Sequence, residues 1–235
     1  MFIDEWFGPS FYKKLPLGYH AKQCFGQIFW THAYYPHENL QLWRPVVDPG
    51  EPTKTSAFQF QIVSAGADAF NRNYPLHTPP LKSREEFLVI RAKRRPVVLV
   101  QSVPPITGGE NRGYKGKFAR PLCLVAQAYS IADKPTGQTK FVPGLVDRVR
   151  LMEFPQIMFL PALPGALDGD GMLRLDQLQS VFVPHMEATQ YCLSDEVQEI
   201  LKCQLQYLIT GEALANDYTE LRECLLEDAA APSSN

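Results

Sequence analysis

Arg174 and Asp176 are the two residues whose types and spacing could do chemistry together. They lie at positions i and i+2 in residues 171–183, where the alternation of side chains predicts a β-strand. On a strand, this spacing places a guanidinium and a carboxylate side by side on one face. One interpretation is a solvated surface ion pair. The other is a working pair, in which the cation holds a bound anion and the carboxylate accepts a proton.

A helix should follow this strand and help to position it. Ser194 is typical of an N-cap, and Asp195 and Glu196 follow in the first turn, where the helix dipole favours acids. Gly211 predicts the end of the helix. Its apolar stripe consists of Val197, Ile200, Leu201, Leu205 and Leu208. A second helix should contain residues 214–225, and residues 228–235 should form a disordered tail.

Short strands are predicted before these helices. They lie at residues 24–34, 55–63, 87–91, 96–101, 121–129, 156–160 and 171–183, and turn chemistry is predicted at residues 45–56. Six or seven short strands and two terminal helices indicate a mainly β fold with flanking helices. We expect a small, strongly bent antiparallel barrel that carries C-terminal α-helices.

Length and composition limit the class of protein. A chain of 235 residues with 45% hydrophobic content can bury a core as one large domain or as a domain with an elaborate insertion. No apolar run approaches the roughly 20 residues that a membrane span needs. The first six residues carry acids and no basic segment, so we expect no signal peptide. Five scattered cysteines without a Cys-x-x-Cys pair predict reduced thiols in a cytoplasmic protein and no zinc site.

Charge is distributed unevenly although the formal net charge is only −2. Residues 82–120 contain ten Lys or Arg and three Glu, whereas residues 187–228 contain ten acidic residues and two basic ones. Such asymmetry fits a phosphate-binding patch beside an acidic helical surface. The alternative is that both clusters of charged residues lie on solvated surfaces and bind no ligand.

Several motifs resemble the MazF/PemK/Kid family of ribonuclease toxins. The most specific is Met-Leu-Arg-Leu-Asp-Gln at residues 172–177, which is similar to the Val-Val-Arg-Cys-Asp-Gln of the Kid/PemK branch. Further resemblances are the first strand at residues 26–30, the His-Glu pair at 37–38, Arg-Pro-Val-Val-Leu-Val-Gln at 95–101, the next strand at 122–128 and the helix start at 193–196. These motifs are spread over about residues 24–209.

The chain departs from the family pattern in two places. About fifty residues separate His37 from Arg95, so a segment at about residues 40–90 is inserted in a single MazF/PemK-like domain of residues 1–227. Arg44 begins a second Arg-Pro-Val motif, and either Arg95 or Arg44 could fill the family position. We prefer Arg95 because residues 99–101 continue the match. Tyr129, followed by Ser130, replaces the threonine of the MazF branch. This favours the Kid-style trio of His37, Arg174 and Asp176.

The resemblance implies an SH3-like barrel that cleaves single-stranded RNA by metal-independent attack of the 2′-hydroxyl. Asp176 would be the base, Arg174 the proton donor or charge clamp, and His37 and Arg95 would stabilise the phosphate. The RNA-binding candidates are Lys93, Arg94, Lys115, Lys117 and Ser130.

The implied partners are RNA, an antitoxin protein and a second copy of the chain in a homodimer. No membrane, cofactor or metal is expected. The alternative function is that of a catalytically inactive barrel which binds proteins or nucleic acids, as the fold-related CcdB toxins act by binding a protein. Fold alone does not separate the two functions.

Overall fold

The chain forms two compact units in the computed structural model. The described residues are 1–35, 38–48, 50–51, 53–77, 80–103, 121–133 and 136–230, and for residues 55–58 only the backbone is described. The first unit comprises Met1–Ala33 and Arg94–Asn235, and the second comprises Tyr34–Lys93. The segment that the sequence analysis treats as an insertion, at about residues 40–90, lies within the second unit.

Seven strands form the antiparallel sheet of the first unit. In spatial order they are β1 (Tyr12–Lys14), β10 (Glu187–Leu193), β2 (Gln27–Tyr34), β6 (Ala92–Val103), β7 (Leu122–Ser130), β9 (Gly171–Phe182) and β8 (Ile157–Leu160). The aliphatic runs in β6 and β7 put these strands at the centre of the sheet, where both faces are covered.

The two faces of this sheet bury different clusters. Val98 and Ala126 belong to the larger core, which the helices cover. Their chain neighbours Val97 and Val125 belong to a smaller cluster with Phe29, Leu99, Cys123 and Val181. Since successive residues of a strand point to opposite faces, one face carries the helices and the other carries the smaller cluster.

The described residues of the first unit include four α-helices: α1 (Ile3–Phe7), α2 (Leu145–Arg150), α3 (Asp195–Thr210) and α4 (Asn216–Ala230). The Ser194 hydroxyl accepts a hydrogen bond from the Val197 amide and caps α3. Gly211 ends α3 with a φ of +71°. The predicted beginning and end of this helix are therefore confirmed.

The second unit contains a three-stranded antiparallel sheet. Its central strand is β3 (Gln41–Val47), flanked by β4 (Thr55–Ser64) and β5 (Phe87–Val89). Residues 45–47 were predicted as a turn, which is wrong, because Pro45 pairs with Phe60 and Val47 with Thr55. Pro45 is tolerated here because β5 pairs only with residues 41–43, so Pro45 has a strand neighbour on one side only.

The prediction of a mainly β fold with C-terminal helices is confirmed. The described strands do not close into the predicted small barrel, because the sheet ends at β1 and β8, which each pair with one neighbour only. The prediction of a tail from residue 228 is wrong for residues 228–230, which continue α4 to Ala230. Residues 231–235 lie outside the described part of the chain.

Candidate functional site

The predicted Arg-Asp pair lies where β9 bulges away from β7. Gln127 of β7 pairs with Arg174, but the preceding residue, Ala126, pairs with Leu178. Residues 175–177 therefore have no backbone pairing partner on β7. A bulge of this kind bends the strand and changes the direction of its side chains, and bulges are frequent beside functional sites.

Arg174 and Asp176 bind each other through two parallel hydrogen bonds. Arg174 Nε donates to Asp176 Oδ1 at 2.7 Å, and Arg174 Nη2 donates to Asp176 Oδ2 at 2.6 Å. The exposed fractions of the two side chains are 34% and 36%. The pair is therefore reachable from solvent, and both oxygens of the carboxylate accept hydrogen bonds from one guanidinium.

This contact changes the acidity of both groups. The hydrogen bond from Arg174 and, to a lesser degree, its charge lower the pKa of Asp176, although partial burial opposes the change. The same hydrogen bond raises the pKa of Arg174. Asp176 is therefore ionised at neutral pH, as a base must be, but its affinity for a proton is reduced.

Tyr129 contacts Arg95, the other arginine of the predicted catalytic set. The guanidinium carbon of Arg95 lies 4.4 Å from the centroid of the Tyr129 ring. Tyr129 also contributes to the raised pKa of Arg174, after the larger effect of Asp176. Arg174 pairs with Gln127, two positions before Tyr129 on β7, so both arginines lie on the face of the sheet that carries Tyr129.

A row of glutamine side chains supports Tyr129. Its hydroxyl donates to Gln177 Oε1 at 2.8 Å and lies 3.2 Å from Gln127 Oε1. Gln127 Nε2 in turn donates to Gln179 Oε1 at 3.0 Å, and Gln179 Nε2 donates to the His32 carbonyl at 3.1 Å. Gln127 is 2% exposed, so these hydrogen bonds are largely shielded from water and hold the tyrosine in place.

Tyr129 and the glutamines were missed as site residues by sequence reasoning. One signal was available, since Gln127 and Tyr129 place polar groups at i and i+2 in an otherwise aliphatic strand. A buried amide needs a hydrogen-bonding partner, so such a pair in a central strand indicates a polar network on that face.

The side chains of Arg94 and Arg95 lie on opposite faces of the sheet. The guanidinium of Arg94 lies 4.7 Å from the Trp30 ring centroid and binds the carboxylate of Glu187. Adjacent residues of a strand point to opposite faces, so β6 separates the two arginines. The structure therefore does not bring Arg94 together with the pair on β9.

The remaining predicted residues are dispersed. Ser130 accepts a hydrogen bond from Lys140 Nζ at 2.9 Å, and as the neighbour of Tyr129 its side chain points to the other face. Lys93 is exposed near the beginning of β6, in the second unit. His37, Lys115 and Lys117 lie outside the described residues.

Arg44, the alternative to Arg95, lies in the second unit. Its Nη1 binds Asp68 at 2.6 Å and its Nη2 binds Glu86 at 3.2 Å, so two carboxylates occupy its guanidinium. It lines a cleft of about 650 Å³ whose wall also includes Gln61, Arg72, Tyr74 and Glu86. Arg95, in contrast, shares a sheet with Arg174 and Asp176.

Two further properties concern the described residues only. Among them, no group of three or more His, Cys, Asp or Glu side chains is arranged to hold a metal ion. None of the helices described is long and apolar enough to cross a membrane.

Comparison with known proteins adds no family to this description. No protein-family model matches the chain, and no curated protein matches it either. The resemblance to the MazF/PemK/Kid toxins therefore stays a prediction from the short motifs.

Proposed function

We propose that the protein is a toxin-type endoribonuclease that cleaves single-stranded RNA without a metal ion. The observation that supports this best is the position of Arg95 and of the Arg174–Asp176 pair around Tyr129. Guanidinium groups recognise phosphate through a planar fork of donors. A carboxylate beside them can take the proton of a 2′-hydroxyl.

A bound phosphodiester would compete with Asp176 for the donors of Arg174. When a phosphate oxygen accepts one of these hydrogen bonds, one oxygen of Asp176 is released. The hydrogen bond that lowers the pKa of Asp176 is then weakened, so the carboxylate becomes a better base when the substrate is present. Substrate binding would in this way prepare the base.

The reaction then follows from the positions of the charges. Asp176 accepts the 2′-hydroxyl proton and the 2′-oxygen attacks phosphorus. A cyclic phosphate forms as the bond to the 5′-oxygen breaks, and the leaving 5′-oxygen takes a proton from solvent water. Arg95 and Arg174 stabilise the additional negative charge of the transition state. We assign charge stabilisation rather than proton donation to Arg174, because a guanidinium retains its proton. The contribution of His37 to phosphate binding stays a prediction.

The proposal includes the other properties that the family resemblance implies. These are a homodimer in the cytoplasm and an antitoxin that blocks the site. The two guanidinium groups near Tyr129 support this last point, since an acidic segment of an antitoxin could bind them in place of RNA.

A second candidate function is binding without catalysis. The observation that favours it is the closed contact of Arg174 with Asp176, which occupies both carboxylate oxygens and lowers the pKa of the proposed base. If RNA did not displace this contact, the face would bind phosphate through Arg95 alone and no proton would be transferred.

Cleavage of labelled single-stranded RNA in the presence of a metal chelator tests the proposal. We expect the wild-type protein to cut RNA and Asp176→Asn to be slower by about 100-fold to 10,000-fold, the usual contribution of a general base. A matched control is Glu153→Gln, which breaks the surface pair of Glu153 with Arg148 and should leave the rate unchanged.

Binding of the same RNA is measured in parallel. RNA binding by the wild type without cleavage would support the binding module and contradict the nuclease. Equal cleavage by the wild type and Asp176→Asn would remove Asp176 as the base. Absence of both binding and cleavage would contradict both functions.

A further inference from the structure

Cys24 and Cys192 meet in the first unit although 168 positions separate them in the chain. Their sulfur atoms lie 3.9 Å apart. Cys24 precedes β2, and Cys192 lies in β10, where it pairs with Gln27 of β2. The antiparallel pairing of these two strands therefore creates a thiol pair for which the cysteine spacing gives no indication.

The surroundings make the two thiols unequal. Cys192 is completely buried, and its Sγ donates to the Phe25 carbonyl at 3.3 Å and accepts from Gln198 Nε2 at 3.5 Å. Cys24 is half-buried, and its backbone amide donates to Gln27 Oε1 at 3.2 Å. Cys24 is thus partly accessible to solvent, whereas Cys192 is not. Hydrogen bonds hold the Cys192 thiol in place.

We propose that Cys24 and Cys192 are a redox-modification site, at which a small disulfide such as glutathione disulfide converts them into a reversible intramolecular disulfide. The sulfur atoms must approach by about 2 Å to reach bonding distance. Because Cys192 is fixed in β10 and Cys24 lies three residues before Gln27, the strand partner of Cys192, this requires a displacement of side chains and not a new fold. The site is independent of the proposed nuclease function.

The exchange proceeds in two balanced steps. The Cys24 thiolate attacks one sulfur of glutathione disulfide, which forms a mixed disulfide and releases one glutathione thiolate. The Cys192 thiolate then attacks the Cys24 sulfur, which forms the protein disulfide and releases the second glutathione. Two cysteines are oxidised, one glutathione disulfide is reduced, and the two thiol protons pass to the two glutathione molecules.

Burial sets the rate of the second step. Burial and the neighbouring Cys24 raise the pKa of Cys192 to about 12, and the charge of Asp195 adds to this effect while Lys13 opposes it. The contribution of Cys24 is lost once it forms the mixed disulfide, but burial still raises the pKa of Cys192. Since only the thiolate attacks, ring closure should become faster as the pH rises. The mixed disulfide on Cys24 should accordingly be detectable at neutral pH before the ring closes.

Oxidation of the full-length protein tests the site. The protein is incubated with excess glutathione disulfide, its remaining thiols are alkylated in denaturant, and intact mass and peptide maps are recorded. We expect one cross-linked peptide pair to join Cys24 to Cys192, and any glutathione adduct on the exposed Cys224 to be distinguished from it by its added mass. Excess reduced glutathione should restore all five thiols.

Variants separate this pair from the other cysteines. Cys24→Ser should abolish the cross-link, and because Cys24 is only half-buried this variant should keep the fold. Cys192→Ser should leave a glutathione adduct on Cys24 that does not resolve. Cys203→Ser and Cys224→Ser are the matched controls and should oxidise as the wild type does. Alkylation of all five cysteines, an unresolved adduct in the wild type at high pH, or a cross-link through another cysteine would overturn the proposal.

Discussion

Asp176 illustrates how much one side chain depends on its direct partner. Position i+2 on a strand predicted that it would lie beside Arg174, and the two groups do bind each other. The two parallel hydrogen bonds of this contact were not predictable, because they depend on the bulge that leaves residues 175–177 without backbone pairing partners on β7. The pKa of Asp176 therefore follows from tertiary pairing and not from the motif.

Arg174→Gln should raise the pKa of Asp176 towards the ordinary carboxyl value, since the hydrogen bond from Arg174 is the main reason that the pKa is low. In the wild type the pair stabilises the fold above the unfolded-state pKa of about 4, and this contribution is lost as the pH falls through the lower folded-state value. NMR titration of the side-chain carboxyl carbon measures the change.

Arg148→Gln is the control for this titration, because it removes a guanidinium that binds Glu153 instead. It should leave the Asp176 titration where it is in the wild type. An Asp176 pKa that is the same in Arg174→Gln and the wild type would show that another group holds the carboxylate. Arg174→Gln should lower the free energy of unfolding by less than about 1 kcal/mol, as is usual for the loss of a surface ion pair.

At the scale of elements, α3 shows which signals are local. Its N-cap at Ser194 and its last residue before Gly211 could both be predicted, because capping depends on residues within one turn. Strand β10, in contrast, was not predicted between β9 and α3. Residues 187–193 lack a strong alternation, and their strand exists because β1 and β2 pair with it on either side.

Gly211→Ala should destabilise the protein by about 1 kcal/mol, because a Cβ atom is unfavourable at the φ of +71° that ends α3. No atom lies within 4 Å of the position where this Cβ would be, so the cost is one of backbone conformation and not of collision. Urea unfolding at equilibrium measures the change in the free energy of unfolding.

Gly169→Ala is the matched control for the substitution in α3. Its added Cβ atom also has nothing within 4 Å, but Gly169 does not have a left-handed φ. This variant should be as stable as the wild type or slightly more stable, because alanine restricts the unfolded chain. Equal destabilisation by both substitutions would contradict the conformational explanation.

At the scale of the whole molecule, the chain enters the second unit at the end of β2 and leaves it at the beginning of β6. Strands β2 and β6 are adjacent in the seven-stranded sheet, and the Tyr35 amide donates to the Arg91 carbonyl at 3.1 Å where the chain leaves and returns. Residues 36–90 thus occupy the place of a hairpin loop. The family resemblance predicted an insertion here, since the family has only a short loop.

Replacement of residues 36–90 by Asn-Gly should leave a protein that folds, because a two-residue turn of this type can join the paired strands. The shortened chain should unfold cooperatively in urea, with a smaller dependence on denaturant because less surface becomes exposed. Circular dichroism and urea titration measure both properties.

Val125→Asp in the shortened chain is the control, since it puts a charge at a completely buried position and should abolish the transition. A shortened chain without cooperative unfolding would mean that the sheet of the first unit depends on the second unit. A transition with an unchanged denaturant dependence would mean that residues 36–90 add no folded surface.

The sequence by itself determined the features that depend on near neighbours. These are the mainly β class, the caps of α3, the positions of most strands and the adjacency of Arg174 and Asp176, because alternation, capping and turn chemistry act within a few residues. Only the tertiary structure decided that Arg95 and Arg174 lie on the same face as Tyr129, that the described strands do not close into a barrel, and that Cys24 lies beside Cys192. Each of these depends on which strands pair and in which register, and a shift of one residue would turn every side chain of a strand to the other face.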